Sequence, residues 1–425
     1  MPDSVIALVI GSIAFICFAF EIFPLAVTAV SASILMAIFG IISFSDAFLG
    51  FSNDMIMLLI GVSIISGALF ETGVAEEFGE FLRKNAGKSE KKFLIVTLIF
   101  GGILSGFITN SAVVAMFVPM IASVTLSSGG KITKKNTYMP LAFIANAGGM
   151  LTMVGAPPQI IAQAILLDNG YEQLPFFFLS VIGIPIMAII LIFYITIGYN
   201  LQAKIYDFDE ITVTLESTQN KGYITTNHFK NKRIIPILVL IGCMVCFIFK
   251  IFTLGTVAII GGIICIVTGC ISEKKAYKSV NWSTVFIIAG SLGFSLGLFK
   301  SGSVDLIIGA FSSVLGTNPN PYVVFVGMVV LATFITSLVS NVATTSLLTP
   351  IAIGMGIAFD INIVTMAMGV AIGAGLSFAT PISSPQMALT LSAGYRFKDY
   401  VKMGSIMAII CLIVTLIIIP IVLPL

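Results

Sequence analysis

The chain has 425 residues, 58% of them hydrophobic and only 9% charged, with a mean hydropathy of +1.12 and a formal net charge of +2. A soluble globule carries about 45–50% apolar and about 25% charged residues, so this composition excludes one and specifies a polytopic membrane protein. The six cysteines all lie in apolar runs and read as small hydrophobes rather than a disulfide framework.

Runs of about 17–25 apolar residues can cross a bilayer. In chain order they predict spans near 4–20, 24–43, 54–70, 138–167, 175–198, 234–249, 254–271, 284–299, 363–391 and 404–424. The stretch Ser4 to Phe20 lacks a basic leader and a small-residue cleavage site, so it is expected to be retained as a span. Two further pieces, 93–128 and 321–359, are too long for one crossing. Each is interrupted by a polar tripeptide: Thr109-Asn110-Ser111, followed by Pro119, and Ser340-Asn341-Val342, followed by Pro350. Three small polar residues make a poor loop between two full spans, so both pieces read as re-entrant hairpins.

The two halves repeat. Asn110 and Asn341 stand 231 positions apart, as do Pro119 and Pro350. Phe23, Leu25 and Gly40 match Phe252, Leu254 and Gly269 at an offset of 229, as do Phe70 and Gly73 with Phe299 and Gly302. Five crossings per half turn the second copy over, which predicts an inverted repeat and alternating access. The expected organisation is a first repeat over 1–199 with hairpin 93–128, a linker over 200–233, and a second repeat over 234–425 with hairpin 321–359. Placed alternately, segments 71–92, 129–137, 199–233, 272–283 and 392–403 gather 19 of the 21 Lys and Arg on one face, leaving Lys250 and Lys300 on the other. The positive-inside rule makes that face cytoplasmic, predicting a multi-pass cell-membrane protein with both termini outside and the linker inside.

Each half carries a second irregular feature. The first runs from Asn146 to Gln159 and contains Gly155-Ala156-Pro157-Pro158; the second runs from Gly373 to Gln386 and contains Thr380-Pro381 and Ser383-Ser384-Pro385. Gly and Pro remove helical hydrogen bonds and bare carbonyls at membrane depth, good ligands for a hard cation. The tripeptides offer the opposite chemistry, since Thr, Asn and Ser cap helix N-termini, where free N–H groups and about half a positive charge favour anions. A lone Ser, Thr or Asn in a membrane helix is usually interhelical glue. Repetition at matched positions points instead to a site. Taken alone, Thr152, Thr344 and Thr345 read as structural, Cys243 and Cys246 as packing, and His228 as a solvated linker residue. The sequon Asn281-Trp282-Ser283 falls on the cytoplasmic face and has no glycosylation meaning there.

All 19 acidic residues fall in loops or at span ends, Glu21 and Asp54 lying closest, and no Lys, Arg or His is expected at mid-membrane. Proton carriers use titratable groups in the pathway, so direct proton coupling is disfavoured. Burying a dianion requires matched charge, and two helix ends supply only about one positive unit. Co-bound sodium is the natural remaining source, which predicts cation-coupled anion transport. An intramembrane enzyme would need paired aspartates or a Ser/His pair at membrane depth, and a primary pump a GxxxxGK loop; neither pattern is present. A channel fits two broken helices per inverted half less well than a carrier does.

The run Ser340 to Pro350 resembles the Ser-Asn-Thr/Val-Ala-Thr motif of the divalent anion sodium symporter family, the di- and tricarboxylate carriers. The run Pro381 to Gln386 and the tail Ala393 to Gly404 are similar to that family's ending, and the likeness covers nearly the whole chain. The resemblance implies the fold of the ion transporter superfamily and a homodimer, each protomer with a scaffold and a mobile part moving as an elevator. By motif it implies substrate contacts from Thr109, Asn110, Ser111, Ala156, Pro157, Ser340, Asn341, Val342, Ser384 and Pro385. It also implies one sodium site at Ser105, Asn110 and Gly155 and a second at Thr336, Asn341 and Ser383. Thr-Asn-Ser replaces the family's usual Ser-Asn-Thr, and Gly155 to Gln159 replaces Gly-Thr-Pro-Pro-Asn with the loss of a hydroxyl.

The expectation is therefore an all-α polytopic membrane protein, an inverted-repeat transporter with about ten spans, two re-entrant hairpins and two broken helices. Its expected function is sodium-coupled symport of C4-dicarboxylates such as succinate, malate and fumarate. Sulfate, citrate or an arsenite-like oxyanion, and sodium-independent exchange, are the alternatives. No enzyme activity and no cofactor beyond sodium as coupling ion are expected. The expected partners are a small anion, sodium, the lipid bilayer and a second copy of the chain, with no nucleic acid.

Overall fold

Where water cannot satisfy the backbone, each apolar run must close its hydrogen bonds on itself, and helices result. The computed structural model describes residues 2–74, 89–208, 232–316 and 319–425, and every regular element among them is helical. Most of the linker 200–233, with His228, and much of the basic segment 71–92 lie outside the described residues. Six described helices are long and apolar enough to cross a membrane, and eight more apolar helices are shorter.

The first half runs through α1 (Asp3–Ala19), α2 (Leu25–Ile38), α3 (Phe44–Leu49), α4 (Asp54–Glu71), α5 (Glu90–Ser105), α6 (Asn110–Ser127), α7 (Tyr138–Gly148), α8 (Pro157–Asp168) and α9 (Ser180–Phe193). A π-turn, Tyr194–Gly198, carries α9 into α10 (Tyr199–Ile205). The second half follows with α11 (Ile234–Ile248), α12 (Leu254–Val267), α13 (Glu273–Ser279), α14 (Trp282–Lys300), α15 (Ser303–Leu315), α16 (Pro321–Thr336), α17 (Asn341–Ala358), α18 (Ile363–Gly375), α19 (Pro385–Leu389) and α20 (Phe397–Val422). The starts of α2 and α12, α3 and α13, α4 and α14, α5 and α16, α6 and α17, and α8 and α19 pair at separations of 228 to 231 positions.

The halves interlock rather than sit side by side. Helix α4 packs on α12, and α14, its counterpart in the second half, packs on α2. Both crossings depend on a glycine. A Cβ at Gly61 would stand 2.2 Å from the backbone of Ala258, and one at Gly290 would stand 2.6 Å from that of Ala29. With the halves exchanged, each pair maps onto the other. Small residues at a crossing let backbones approach to where dispersion, the main attraction available between helices in lipid, is strong. The ion pairs obey the same exchange: Lys300 Nζ lies 2.9 Å from Asp46 Oδ2, and Lys275 pairs with Glu71. The Lys300 hydrogen bond and the Ser43 cap of α3 together hold the Asp46 carboxyl below the ordinary carboxylate range.

Three helices depart from the predicted spans. Short α3 and α13 each begin after a Ser before a crossing; Ser43 caps α3, accepting from Asp46 N at 3.0 Å, whereas Ser272 makes no side-chain cap to α13. Helix α15 fills a stretch with no predicted element, because Ser303, Asp305, Ser312 and Ser313 interrupt its apolar run. It is amphipathic, and its buried Val304 presses so closely on α17 that a Cβ at Gly354 would meet the Val304 side chain at 2.2 Å. The predicted spans 138–167 and 363–391 are both broken: the first between α7 and α8, the second between α18 and α19. The sequon residue Asn281 has a plain structural task, its Oδ1 accepting from Thr284 N at 3.2 Å to cap α14.

Overpacking a close crossing costs about 1–3 kcal/mol. Gly61→Val and Gly290→Val are therefore expected to lower the thermal midpoint of the detergent-solubilised protein. Gly327→Val on α16, where a Cβ would meet nothing within 4 Å, serves as the control and should leave the midpoint in place. Equal midpoints for all three variants would contradict the interlock.

Candidate functional site

Both tripeptides sit where a hairpin turns. Helix α5 ends at Ser105 and α6 starts at Asn110; α16 ends at Thr336 and α17 starts at Asn341. Asn110 and Asn341 are almost wholly buried, as are Ser105, Thr336, Ser383 and Ser384. Facing each hairpin tip is the break in the following helix pair, residues 149–156 in the first half and 376–384 in the second.

In the first half the tip and the break form a cage of oxygens. The Asn110 side-chain amide has Ser105 Oγ at 2.6 Å, the Gly155 carbonyl at 2.9 Å and the Ala145 carbonyl at 3.1 Å around one of its two atoms. Ser105 Oγ donates to Asn110 Oδ1 there; with the amide turned over, its nitrogen would instead donate to both carbonyls, so the same cage can present either atom. The cage exists because Gly149 has no side chain; a Cβ there would lie 2.3 Å from the Asn110 amide. All three residues expected at the first sodium site, Ser105, Asn110 and Gly155, thus meet at one point, and Ala145 joins them. Thr152 closes the turn beneath, its Oγ1 donating to the Gly106 carbonyl and accepting from Val154 N at 3.2 Å, a structural role.

The second half repeats the closure with different atoms. Thr336 Oγ1 donates to the Ala374 carbonyl at 2.8 Å, and the Asn341 backbone N–H donates to the Ser383 carbonyl at 3.2 Å. Ser383 Oγ donates to Thr380 O at 2.7 Å and to Ser377 O at 3.1 Å, folding the extended segment back on itself. Of the three residues expected at the second sodium site, Asn341 and Ser383 are joined through a backbone carbonyl rather than a side-chain cage, while Thr336 bonds the Ala374 carbonyl and neither of the other two. Thr344 and Thr345 return their hydroxyls to the carbonyls of Ser340 and Asn341, at 3.0 and 2.8 Å, so both serve the helix.

The expected anion contacts differ between halves. Ser340 caps α17, accepting from Ala343 N at 3.3 Å, whereas Thr109 at the start of α6 makes no side-chain cap. Thr109, Ser111 and Pro157 are half-buried and Ala156 is buried; in the second half Ser340, Val342 and Ser384 are buried and Pro385 is exposed. Ser384 Oγ is buried with no hydrogen-bond partner, and both amide atoms of Gln159 in the first turn of α8 share that state. A buried hydroxyl or amide without a partner costs about 1–3 kcal/mol. Orphaned polar atoms at both helix breaks are the groups a polar cargo would satisfy. None of the hydrogen-bond partners of Ser105, Asn110, Thr336, Asn341 or Ser383 carries a formal charge.

Sequence reasoning named Asn146 and Gln386 only as ends of the two irregular segments and gave neither a role in joining the halves. Asn146 on α7 donates from Nδ2 to Ser377 O and to Ser377 Oγ, each at 3.4 Å, and accepts at Oδ1 from Gln386 Nε2. Phe143 and Phe378 meet edge-on beside them, with ring centroids 5.2 Å apart. The available signal was an amide inside the eleven-residue helix α7, which is buried along its whole length.

A family model described as Citrate transporter matches residues 15–373. Among curated relatives, an uncharacterized transporter of Escherichia coli, YfbS, is 31% identical over 166 residues, which is 39% of this chain and only 27% of that protein. The sodium-dependent dicarboxylate transporter SdcS of Staphylococcus saprophyticus is 22% identical over 371 residues, covering 80% of this chain and 71% of its own. The crystal structure of the YdaH transporter of Alcanivorax borkumensis superposes with a TM-score of 0.65 at 12% identity, over 97% of this chain and 98% of that one. The fold is that of a membrane transporter, and, with the family match running through both hairpin tips and into the second broken helix, this multi-pass membrane protein belongs to the citrate transporter family.

Proposed function

We propose that the chain is a secondary active transporter that carries a C4-dicarboxylate such as succinate, malate or fumarate together with sodium. The observation that carries this reading is the oxygen cage of Ser105, Asn110, Ala145 and Gly155, whose members are all uncharged, together with the orphaned polar atoms of Gln159 and Ser384 at the two helix breaks. Oxygen-only, uncharged ligands suit a hard monovalent cation. The named activity of SdcS agrees with that reading. Citrate is the second reading, favoured by the family's description, and shares the same chemistry with one more carboxylate.

The mechanism follows from charge. A dicarboxylate brings two negative charges, and the N-termini of α6 and α17 supply about one positive unit between them. Sodium ions at Ser105–Asn110–Gly155 and at Thr336–Asn341–Ser383 would make up the balance and lower the cost of desolvating the anion. Thr109, Asn110 and Ser111 with Ser340, Asn341 and Val342 would hold the carboxylates, and Ala156, Pro157, Ser384 and Pro385 would close the pocket. Because each ligand neutralises the other, neither is expected to bind tightly alone.

Two inverted repeats, over 1–199 and 234–425, would let the site face each side in turn, with termini outside and linker 200–233 cytoplasmic. The exchange-related contacts of α4, α12, α14 and α2 support that division. Helix α6 has 39% of its residues buried and its counterpart α17 has 78%, an asymmetry that an alternating-access cycle reverses. Elevator movement of one part of each protomer against the other, within a homodimer, completes the reading.

The test is counterflow in proteoliposomes with radiolabelled succinate, citrate and sulfate, with and without a sodium gradient. Saturable, sodium-dependent succinate uptake is expected, with citrate and sulfate competing weakly. Uptake unaffected by sodium would sink the coupling and leave an anion exchanger.

Asn110→Ala and Asn341→Ala should each lower transport at least about tenfold, since removing the Asn110 amide alone takes away a group that meets the Gly155 carbonyl and opens the cage. Membrane insertion should be intact, and wild-type uptake by both would reduce the tripeptides to helix glue. Ser384→Ala separates binding from folding. Its hydroxyl has no protein partner, so the thermal midpoint without substrate should hold or rise while the half-saturating succinate concentration increases several-fold. A lower midpoint with unchanged substrate affinity would assign Ser384 to the fold.

A further inference from the structure

We infer that Asn146 and Gln386 are positioning residues that couple the two cation sites, so that filling one favours filling the other. The inference rests on the sodium-coupled reading above. It concerns residues that the tripeptides and the helix breaks do not include.

Helix α7 is buried from end to end, and Asn146 is the single side-chain amide within it. An amide there persists only if its donors and acceptor are met. All of its partners lie in the second half of the chain: Ser377 O, Ser377 Oγ and Gln386 Nε2. Gln386, itself 4% exposed, lies two residues beyond the orphaned Ser384 hydroxyl, in the first turn of α19.

From these contacts a polar path runs between the half-sites. The Ala145 carbonyl, next in the chain to Asn146, faces the Asn110 amide at 3.1 Å. Ser377 O, which Asn146 bonds, also accepts from Ser383 Oγ at 3.1 Å, and Ser383 O accepts from Asn341 N at 3.2 Å. Each end of the path is a residue expected to ligate sodium. Only the peptide unit between Ala145 and Asn146 and the backbone of Ser383 interrupt the hydrogen bonds.

The path has something to transmit. The Asn110 amide can present either atom to the carbonyls of Ala145 and Gly155: nitrogen bonds both within the protein, and oxygen, which accepts from Ser105 Oγ at 2.6 Å, completes a ring of oxygens for a cation. A cation in the cage selects the oxygen and draws both carbonyls toward itself. The Ala145–Asn146 peptide plane is rigid, so re-aiming the carbonyl shifts the Asn146 backbone. The shift reaches Ser377 and Gln386 through hydrogen bonds that hold segment 376–384 and the start of α19. That segment presents the Ser383 carbonyl to Asn341. By reciprocity, an ion at the second site presets the first by the same factor.

The measurement is thermal stabilisation of the purified full-length protein against sodium concentration, with and without succinate, with potassium as the control cation. In the wild type the stabilisation is expected to rise steeply, with a Hill coefficient approaching about 2 for two coupled sites. Asn146→Ala and Gln386→Ala should each bring the coefficient down to about 1, and the double variant should be no worse than either alone, the signature of one shared interaction. Asn146→Leu combined with Gln386→Met replaces both polar partners by apolar groups of similar size and guards against misfolding. It should keep the sodium-free midpoint and still lose the steepness. A merely structural pair would change the midpoint but not the slope. Undiminished steepness in the variants, with a sodium response in the wild type, would overturn the coupling alone. A wild type with no sodium response would overturn the cation reading and the coupling with it.

Discussion

Backbone carbonyls released by a helix break inside a membrane must find a donor or a cation, and that requirement organises this molecule. Between α7 and α8 the chain frees the Gly155 carbonyl, and the Asn110 amide meets it together with that of Ala145. Between α18 and α19 the freed Ser383 carbonyl is met by the Asn341 N–H. Satisfying these groups fixes each hairpin tip against a broken helix, and tip and break together make the proposed site. A continuous helix in either place would remove the acceptors and the reason for the tripeptide in one step.

Precision at the tips is inherited from the framework. In lipid, apolar surface is no driving force between helices, so α4 on α12 and α14 on α2 hold by backbone approach at Gly61 and Gly290. The ion pairs of Asp46 with Lys300 and of Glu71 with Lys275 lie at the ends of these crossings and register the halves along the helix axes. Exposed pairs contribute little stability. Their recurrence with the halves exchanged makes them markers of register instead.

Much of this architecture was legible in the sequence, and for identifiable reasons. Apolar length located nearly all of the crossings, and the 231-residue spacing of Asn110 and Asn341 located both hairpin tips. Ser105, outside the tripeptide, and Gly155, 45 positions beyond Asn110, were assigned to a site only through resemblance to a known family, because their meeting with Asn110 comes from tertiary contact rather than local pattern. Helix α15 escaped because its polar face breaks the apolar run that identifies a span. Asn146 and Gln386 escaped for a deeper reason: a hydrogen bond between residues 240 positions apart leaves no local trace, and each residue alone reads as a single polar group in a greasy helix.

The two half-sites are alike in position and unlike in chemistry, and the difference bears on order of binding. The first offers a side-chain cage whose amide can present oxygen or nitrogen to the carbonyls around it. The second holds its ligands through backbone bonds, with Thr336 and Ser383 already committed to the carbonyls of Ala374, Thr380 and Ser377. In the proposed mechanism, a cation entering the first cage would exchange the contacts of one amide for ion contacts, whereas one entering the second site would displace several bonds in a buried segment. On that reading the first cage would be the easier to fill. The carbonyl of Ala145 would pass that event on through Asn146, so the first ion would open the second site, and the anion would meet a pocket already carrying positive charge.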